Sequence, residues 1–585
     1  MASFLGEIKR RKVFQVAAVY IVVAWLIIQV IDVVVEPLSL PDWLDTVVIV
    51  LLIAGFPIAL VLAWALDLTP QGVVRTTPSD TQAGKGNDTK EPTSLGIATL
   101  EHDLLPNSVA VLPLENLSPN PNDAYFAAGM HEEILNHLAK LRDVSVIART
   151  SVMQYAGVAR PISEIASELN VGTVMEGSVR YSGDRVRVTA QLIEGTTGIH
   201  LWTESYDREL SDIFSIQTDI ATQIAGALKA KLSTEERETI AEQPTTSTEA
   251  YGLYLRAVAQ HGGFAGNPTA LPSLRVSIQS YLDRAIHLDS EFALAHAWKA
   301  YAYIGSRQND PVPVGEWEER KAELERLIIE HAEKALVLDP RVGLAHTVLA
   351  IVHFYNWHAA EAERAFDLAL EVAPNDALTL FWYSGFQASR ERYEDAERLA
   401  KRATVLNPKG QQPYLFLGYS LWKQGRLDDA AEAFGQGIAV NPQDPLAYIF
   451  AAGLETARGE RESALKVLRT GDRLMLGGSS PGIRAHTAWN YGRLGETADA
   501  QRIFNEVKEM AVTRYIGPTV WAWAYLAIGE HQRALELYKE AQGDVSLVQD
   551  PWSLIYAAQN FCSDPVLEEP RFREVFSNLW LTELD

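Results

Sequence analysis

The chain has 585 residues, and 75 acidic against 51 basic side chains give it a net charge of −24. Phosphate-backbone binding demands clustered Lys and Arg, so nucleic acid is not an expected partner of the chain as a whole. A single cysteine, Cys562, permits no intrachain disulfide framework and fits a reducing compartment.

A basic segment, 1–12, ends in Lys9, Arg10, Arg11 and Lys12. Residues 13–35 then form an apolar stretch broken only by Gln15, Gln29 and Asp32, long enough to cross a bilayer core of about 30 Å. A second apolar stretch, 47–66, carries Gly55 and Pro57, which membrane helices tolerate. The connection between them holds Glu36, Asp42 and Asp45 and no Lys or Arg, so the positive-inside rule puts the N-terminus in the cytoplasm. Two spans return the chain to that side. The expectation is a multi-pass protein of a bacterial inner membrane with its soluble bulk cytoplasmic and the lipid bilayer as one partner.

Residues 76–104 lack aromatic side chains and read as a flexible tether with a reach of roughly 30 Å. From 107 to 235 strand and helix signals alternate. SVAVLPL is a buried strand by its apolar run, and AYFAAGMHEEILNHLAKL is an amphipathic helix. VSVIART and ISEIASELN repeat that order, and TVMEGSVRYSGDRVRVTAQLIEG alternates in period two around Ser182, Gly183 and Asp184 as a hairpin does. A long helix closes this compact α/β domain.

Pro340, Pro374, Pro408 and Pro442 recur at intervals of 34 residues, each at the end of a helical run. Thirty-four residues is the length of the tetratricopeptide helix-turn-helix unit, in which Pro closes the second helix because it cannot continue one. Leu417, Gly418, Gly425, Ala430 and Phe434 resemble that consensus at nearly every diagnostic position. About seven or eight units are expected over 248–550, the second stretched by an insertion at 308–321, with a C-terminal helical cap at 551–585.

The stretches SVAVLPLENLSPNPNDAYFAAGM, VSVIARTS and VGTVMEGSVRYSGDRVRVTAQLIEGTTGIHLWTESYDREL resemble the TolB amino-terminal-like (FlgO-like) domain of bacterial signalling and envelope proteins. That resemblance implies an α/β domain ahead of tetratricopeptide repeats. Some members of the group carry an N-terminal class III adenylate cyclase or a winged-helix DNA-binding domain; here about a dozen residues precede the first span, too few for either.

Catalytic constellations are sparse, so an enzyme, a metal and a cofactor are not expected. His131 and His137 lie six apart, whereas zinc-binding helices place histidines at i and i+4; Glu132 and Glu133 read as solvated helix-start acids. Arg149, Arg180, Arg185 and Arg187 are candidates for an anion-binding edge on the α/β domain, and surface ion pairing accounts for the same residues. The proline register sets Phe354, Tyr355, Phe381, Tyr419, Trp422, Trp489 and Trp523 on the concave surface of the repeats. Aromatic rather than cationic, such a groove suits an apolar or amphipathic peptide segment. The same rings could equally pack inside a tightly coiled superhelix, and both readings stay open. The expected function is a non-enzymatic, membrane-anchored scaffold or sensor-like module. The alternative is a regulatory subunit of a separate signalling enzyme of adenylate cyclase type, or of a transcription regulator. Homo-oligomer formation is left open.

Overall fold

The computed structural model describes residues 66–69, 72–75, 105–120, 123–182, 185–230, 232–262, 272–309, 311–475, 480–543, 551–559 and 564–577. The spans expected at 13–35 and 47–66 lie outside the described residues except for Leu66, as does the tether 76–104. Among the described residues no helix is long and apolar enough to cross a membrane. The chain divides into two units, Met1–Leu100 and Glu101–Asp585. In the first, β1 (Leu66–Thr69) pairs antiparallel with β2 (Gly72–Arg75).

The second unit opens with a mixed sheet of order β5-β3-β6-β7-β8. Its parallel part joins β3 (Leu105–Val111) to β5 (Ser145–Val146) and to β6 (Val171–Ser182), and the short β4 (Glu115–Asn116) also pairs with β6. The antiparallel part is the expected hairpin, β6 with β7 (Arg185–Glu194), extended by β8 (His200–Glu209). Val109, Ala110 and Val111 are fully buried, as an apolar strand covered on both faces must be. On β7 the alternation sends Val186, Val188, Ala190 and Leu192 inward. Helices α1 (Ala124–Ala139) and Ile213–Ala227 share one core on one side of the sheet, and Ile162–Leu169 packs into a separate cluster.

Eight helix pairs follow among the described residues, from Thr248–Gly262 to His531–Gly543. The first helices of four successive pairs begin at Gly343, Ala377, Gln411 and Pro445, so the 34-residue period of the prolines is the period of the structure. Small residues occupy the crossings: a Cβ on Gly418 would come within 2.5 Å of the Phe434 ring. The turn between the two helices of a pair needs one left-handed residue. Gly425, Gly459, Gly495 and Gly529 supply it with φ of 79°, 81°, 76° and 81°. In the two preceding pairs the same position holds Trp357 (φ 64°) and Glu391 (φ 59°), side chains that disfavour that conformation.

The α/β domain and the repeats share a core rather than a linker. Tyr251, Tyr254 and Leu255 of the first repeat are buried with Phe126, Met130 and Ile134 of α1, and Gly129 leaves the room that Leu255 fills. Further on, the α/β domain grips three consecutive proline turns. Arg341, after Pro340, pairs with Glu242. Asn375, after Pro374, donates Nδ2 to the Leu141 and Val144 carbonyls at 2.7 and 2.8 Å. Asn407, before Pro408, accepts from the hydroxyls of Thr150 and Ser151 at 2.7 Å each, while the Ala148 N–H donates to the Leu406 carbonyl at 2.7 Å.

Glu391 is exposed, so Glu391→Gly should relieve the left-handed strain and stabilise the fold by about 1 kcal/mol in chemical denaturation. Asn375→Ala should do the opposite. It strands the Val144 carbonyl, leaves the Leu141 carbonyl only the long bond from the Val144 N–H, and should cost roughly 2 kcal/mol in the same measurement.

Candidate functional site

The face of the repeats formed by the first helices is filled. A short helix near the C-terminus, Pro551–Ala558, lies on it with Ile555 and Ala557 fully buried and Tyr556 8% exposed. Trp552 meets Phe354 edge-on at 5.2 Å and Phe416 at 5.0 Å, and Gly385 leaves space for its indole. Tyr556 packs against Tyr419 at 5.5 Å, Phe450 at 5.6 Å and the His486 ring at 6.2 Å. Polar groups fix the register. Gln559 accepts from the Tyr419 hydroxyl, donates Nε2 to the Ala388 and Ser389 carbonyls at 2.9 and 3.2 Å, and its own carbonyl receives Lys423 Nζ at 2.6 Å. Past it, the Asp564 carboxylate accepts the Trp489 Nε1–H at 2.8 Å. The helix Pro570–Ser577 packs Phe572 and Phe576 on Tyr538 of the last repeat.

Of the seven residues expected in the groove, Phe354, Tyr419 and Trp489 contact this segment directly. Trp523 stacks behind Trp489 at 5.8 Å, and Trp422 sits edge-on to Tyr419 at 6.5 Å. Tyr355 is covered by the Arg307 guanidinium at 4.6 Å, and Phe381 faces a different cavity, described below. The aromatic face therefore exists, but as a buried one: Phe354, Tyr419 and Trp489 are fully buried, because the chain supplies its own occupant. Phe416, Phe450, His486 and the occupant itself were not among the residues expected from the sequence. The i, i+4 spacing of Trp552 and Tyr556 was the signal that marks an aromatic helix face. The array is also tied across its length by the insertion in the second unit: Trp317 stacks on Tyr515 at 5.2 Å, and the Tyr515 N–H donates to the Val312 carbonyl at 2.7 Å.

The arginine edge does not form as four residues. Arg149 is 8% exposed and donates Nη1 to the Ala128 carbonyl at 3.0 Å and to Glu132 at 3.3 Å. Arg180 and Arg187 oppose each other across β6 and β7, but Asp207 on β8 binds both Arg185 and Arg187. Surface ion pairing engages two of the three hairpin arginines. Glu132 and Glu133 are likewise not solvated: Glu133 is 1% exposed and accepts from the Tyr254 hydroxyl at 2.8 Å. His131 and His137 sit in the core of the domain, held by the Val111 and Glu133 carbonyls at 2.8 and 2.7 Å. Burial pushes the two imidazoles down to about 3 and about 4.

A second concave feature lies where the α/β domain meets the repeat turns. It is a cavity of about 850 Å³ walled by α1, the loop after β5, the three proline turns and the rings of Trp298, Tyr301, Phe381 and Trp382. Glu132, Lys140 and Asp376 project from its walls. Burial raises the Glu132 and Asp376 carboxyls and lowers the Lys140 ammonium.

A tetratricopeptide repeat family matches residues 417–473. The chain is 40% identical over 193 residues to a protein named putative adenylate cyclase 3 of Rhizobium meliloti (strain 1021). That match covers 32% of this chain and 31% of the relative, so the chain spans about a third of the relative's length. Among solved structures it is similar to PilF of Pseudomonas aeruginosa, at 20% identity over 38% of this chain and 92% of that one with a TM-score of 0.29. It is similar also to PilW, a type IV pilus biogenesis factor, at 19% identity over 37% and 92% with a TM-score of 0.31. The chain carries tetratricopeptide repeats, a scaffold that mediates protein–protein interaction.

His486, enclosed by Trp489, Trp523 and Tyr556, is held down to about 3 by burial. From about pH 6.5 down to about 3 the unfolded chain binds a proton there that the folded chain does not. Stability from this group is complete above 6.5 and is lost as pH falls through that window. Denaturation between pH 7 and 5 should show His486→Phe losing less stability than the parent, by up to about 1.4 kcal/mol per pH unit.

Proposed function

We propose that the protein is a membrane-anchored interaction scaffold of sensor type, facing the cytoplasm, whose repeats bind an amphipathic aromatic segment of a partner protein and whose TolB-like α/β domain is the input module. The observation that carries this reading is the occupant of the repeat face. An aromatic helix with rings at i and i+4, an amide at i+7 and a carboxylate at i+12 is complementary to that face in shape and hydrogen bonding. A partner segment of the same pattern would take its place, and residues 551–559 and 564–577 hold the face in the partner's absence. Helix-in-groove recognition by repeated aromatic anchors supports the assignment. The basic residues before the first apolar stretch support the cytoplasmic side.

A second reading is favoured by the relative named as an adenylate cyclase. In it the chain is a regulatory partner of a separate signalling enzyme, and the segment recognised belongs to that enzyme. Both readings use the same face.

The test weakens the resident helix in the full chain by Trp552→Ala with Tyr556→Ala. A labelled peptide with the sequence of residues 551–577 should then bind the variant with micromolar affinity by fluorescence anisotropy and leave the parent unbound. Failure of the variant to bind, with its helical circular dichroism intact, would reject exchange on this face.

A further inference from the structure

We infer that the cavity between the α/β domain and the proline turns is a binding site for a short zwitterionic peptide, about three residues long with free termini. The inference stands on a different part of the molecule from the repeat face.

Two polar side chains of α1 and a third at its C-cap lie along one stripe. Glu132, Asn136 and Lys140 are spaced i, i+4 and i+8, so they share a helix face, and all three line the cavity. The stripe places a carboxylate and an ammonium about 12 Å apart along the axis at 1.5 Å per residue. An extended tripeptide spans about 10 Å between its ends. The free amine of such a ligand meets Glu132, and its carboxylate meets Lys140.

The surroundings of each end match that polarity. At the Glu132 end the cavity also holds Asp376, which adds negative charge beside Glu132 while accepting hydrogen bonds from Thr379, and Arg149 gives Glu132 one hydrogen bond at 3.3 Å. An added ammonium supplies the missing charge, and the rings of Tyr301 and Trp382 provide faces for it. At the other end Lys140 makes no hydrogen bond or ion pair through its side chain with any described residue. The carboxylates nearest it are engaged elsewhere: Glu242 and Asp339 both pair with Arg341, and Glu133 accepts from Tyr254. Burial lowers the Lys140 ammonium, against the pull of Glu133, Asp339 and Glu242, and raises the Glu132 and Asp376 carboxyls; a zwitterion of this length brings a direct hydrogen-bonding partner to each end.

The middle of the cavity suits apolar side chains. Trp298 and Phe381 complete its aromatic wall, and a volume of about 850 Å³ falls within the range of small-ligand sites. Because α1 and the loop after β5 form one wall while the turns after Pro340 and Pro374 form the other, a bound peptide bridges the α/β domain and the repeats.

The experiment is isothermal titration of the purified full chain with the tripeptide Ala-Phe-Ala in three forms: free, N-acetylated and C-amidated. The free form should bind, and each blocked form should bind at least tenfold more weakly. Glu132→Gln should remove the preference for a free amine and keep that for a free carboxylate, and Lys140→Met should do the reverse. Absence of saturable binding by the free tripeptide, or equal binding of free and blocked forms to the parent chain, would overturn the assignment. The comparison within the parent chain holds even if a variant folds poorly.

Discussion

Proline has no backbone N–H to donate, so a helix that runs into one must stop and the chain must turn. Here that constraint recurs at Pro340, Pro374 and Pro408, and it lays a row of turns along one edge of the repeats. Turns leave backbone and short polar side chains available for bonding across an interface. Arg341, Asn375 and Asn407 use that availability to hold the α/β domain. Both the seat of that domain and the cavity beneath it follow from where the second helices end.

The first helices present the other edge of the same array. Successive units place rings from Phe354 to Trp523 next to one another, and so much contiguous apolar surface must be covered. The chain covers it with Trp552, Tyr556 and Ile555 and pins the helix through Gln559 and Asp564. Hydrophobic burial supplies the attraction, while the hydrogen bonds to Tyr419, Lys423 and Trp489 select one register. Burial has an electrostatic consequence, since His486 is kept neutral by the rings around it.

Much of the architecture was legible in the order of residues. The proline period gave the helix pairs and their phase. The two-residue alternation around Ser182 gave the β6–β7 hairpin. Gly425 fits the repeat consensus, and the left-handed turn it supplies is made by Trp357 and Glu391 in two other pairs. The aromatic residues of the first helices lie on a face that the helix Pro551–Ala558 covers, and Phe381 turns toward the junction cavity. The four arginines were not a unit, because Arg149 opens the short helix Arg149–Val152 while the other three lie on an antiparallel hairpin. Glu132 and Glu133 looked like solvated acids because α1 shows its polar stripe to the sequence reader and conceals the repeats that pack on it.

By itself the sequence determined the local elements, their period and the pattern along their faces, because propensity, alternation and proline act over a few residues. Tertiary structure alone decided what met those faces. Contacts such as Tyr419 with Gln559, 140 residues apart, and Asn375 with Leu141, 234 residues apart, depend on how the whole array curves back on itself. No local pattern encodes that path, so the burial of the aromatic face and the cavity at the domain junction became visible only once the chain was folded.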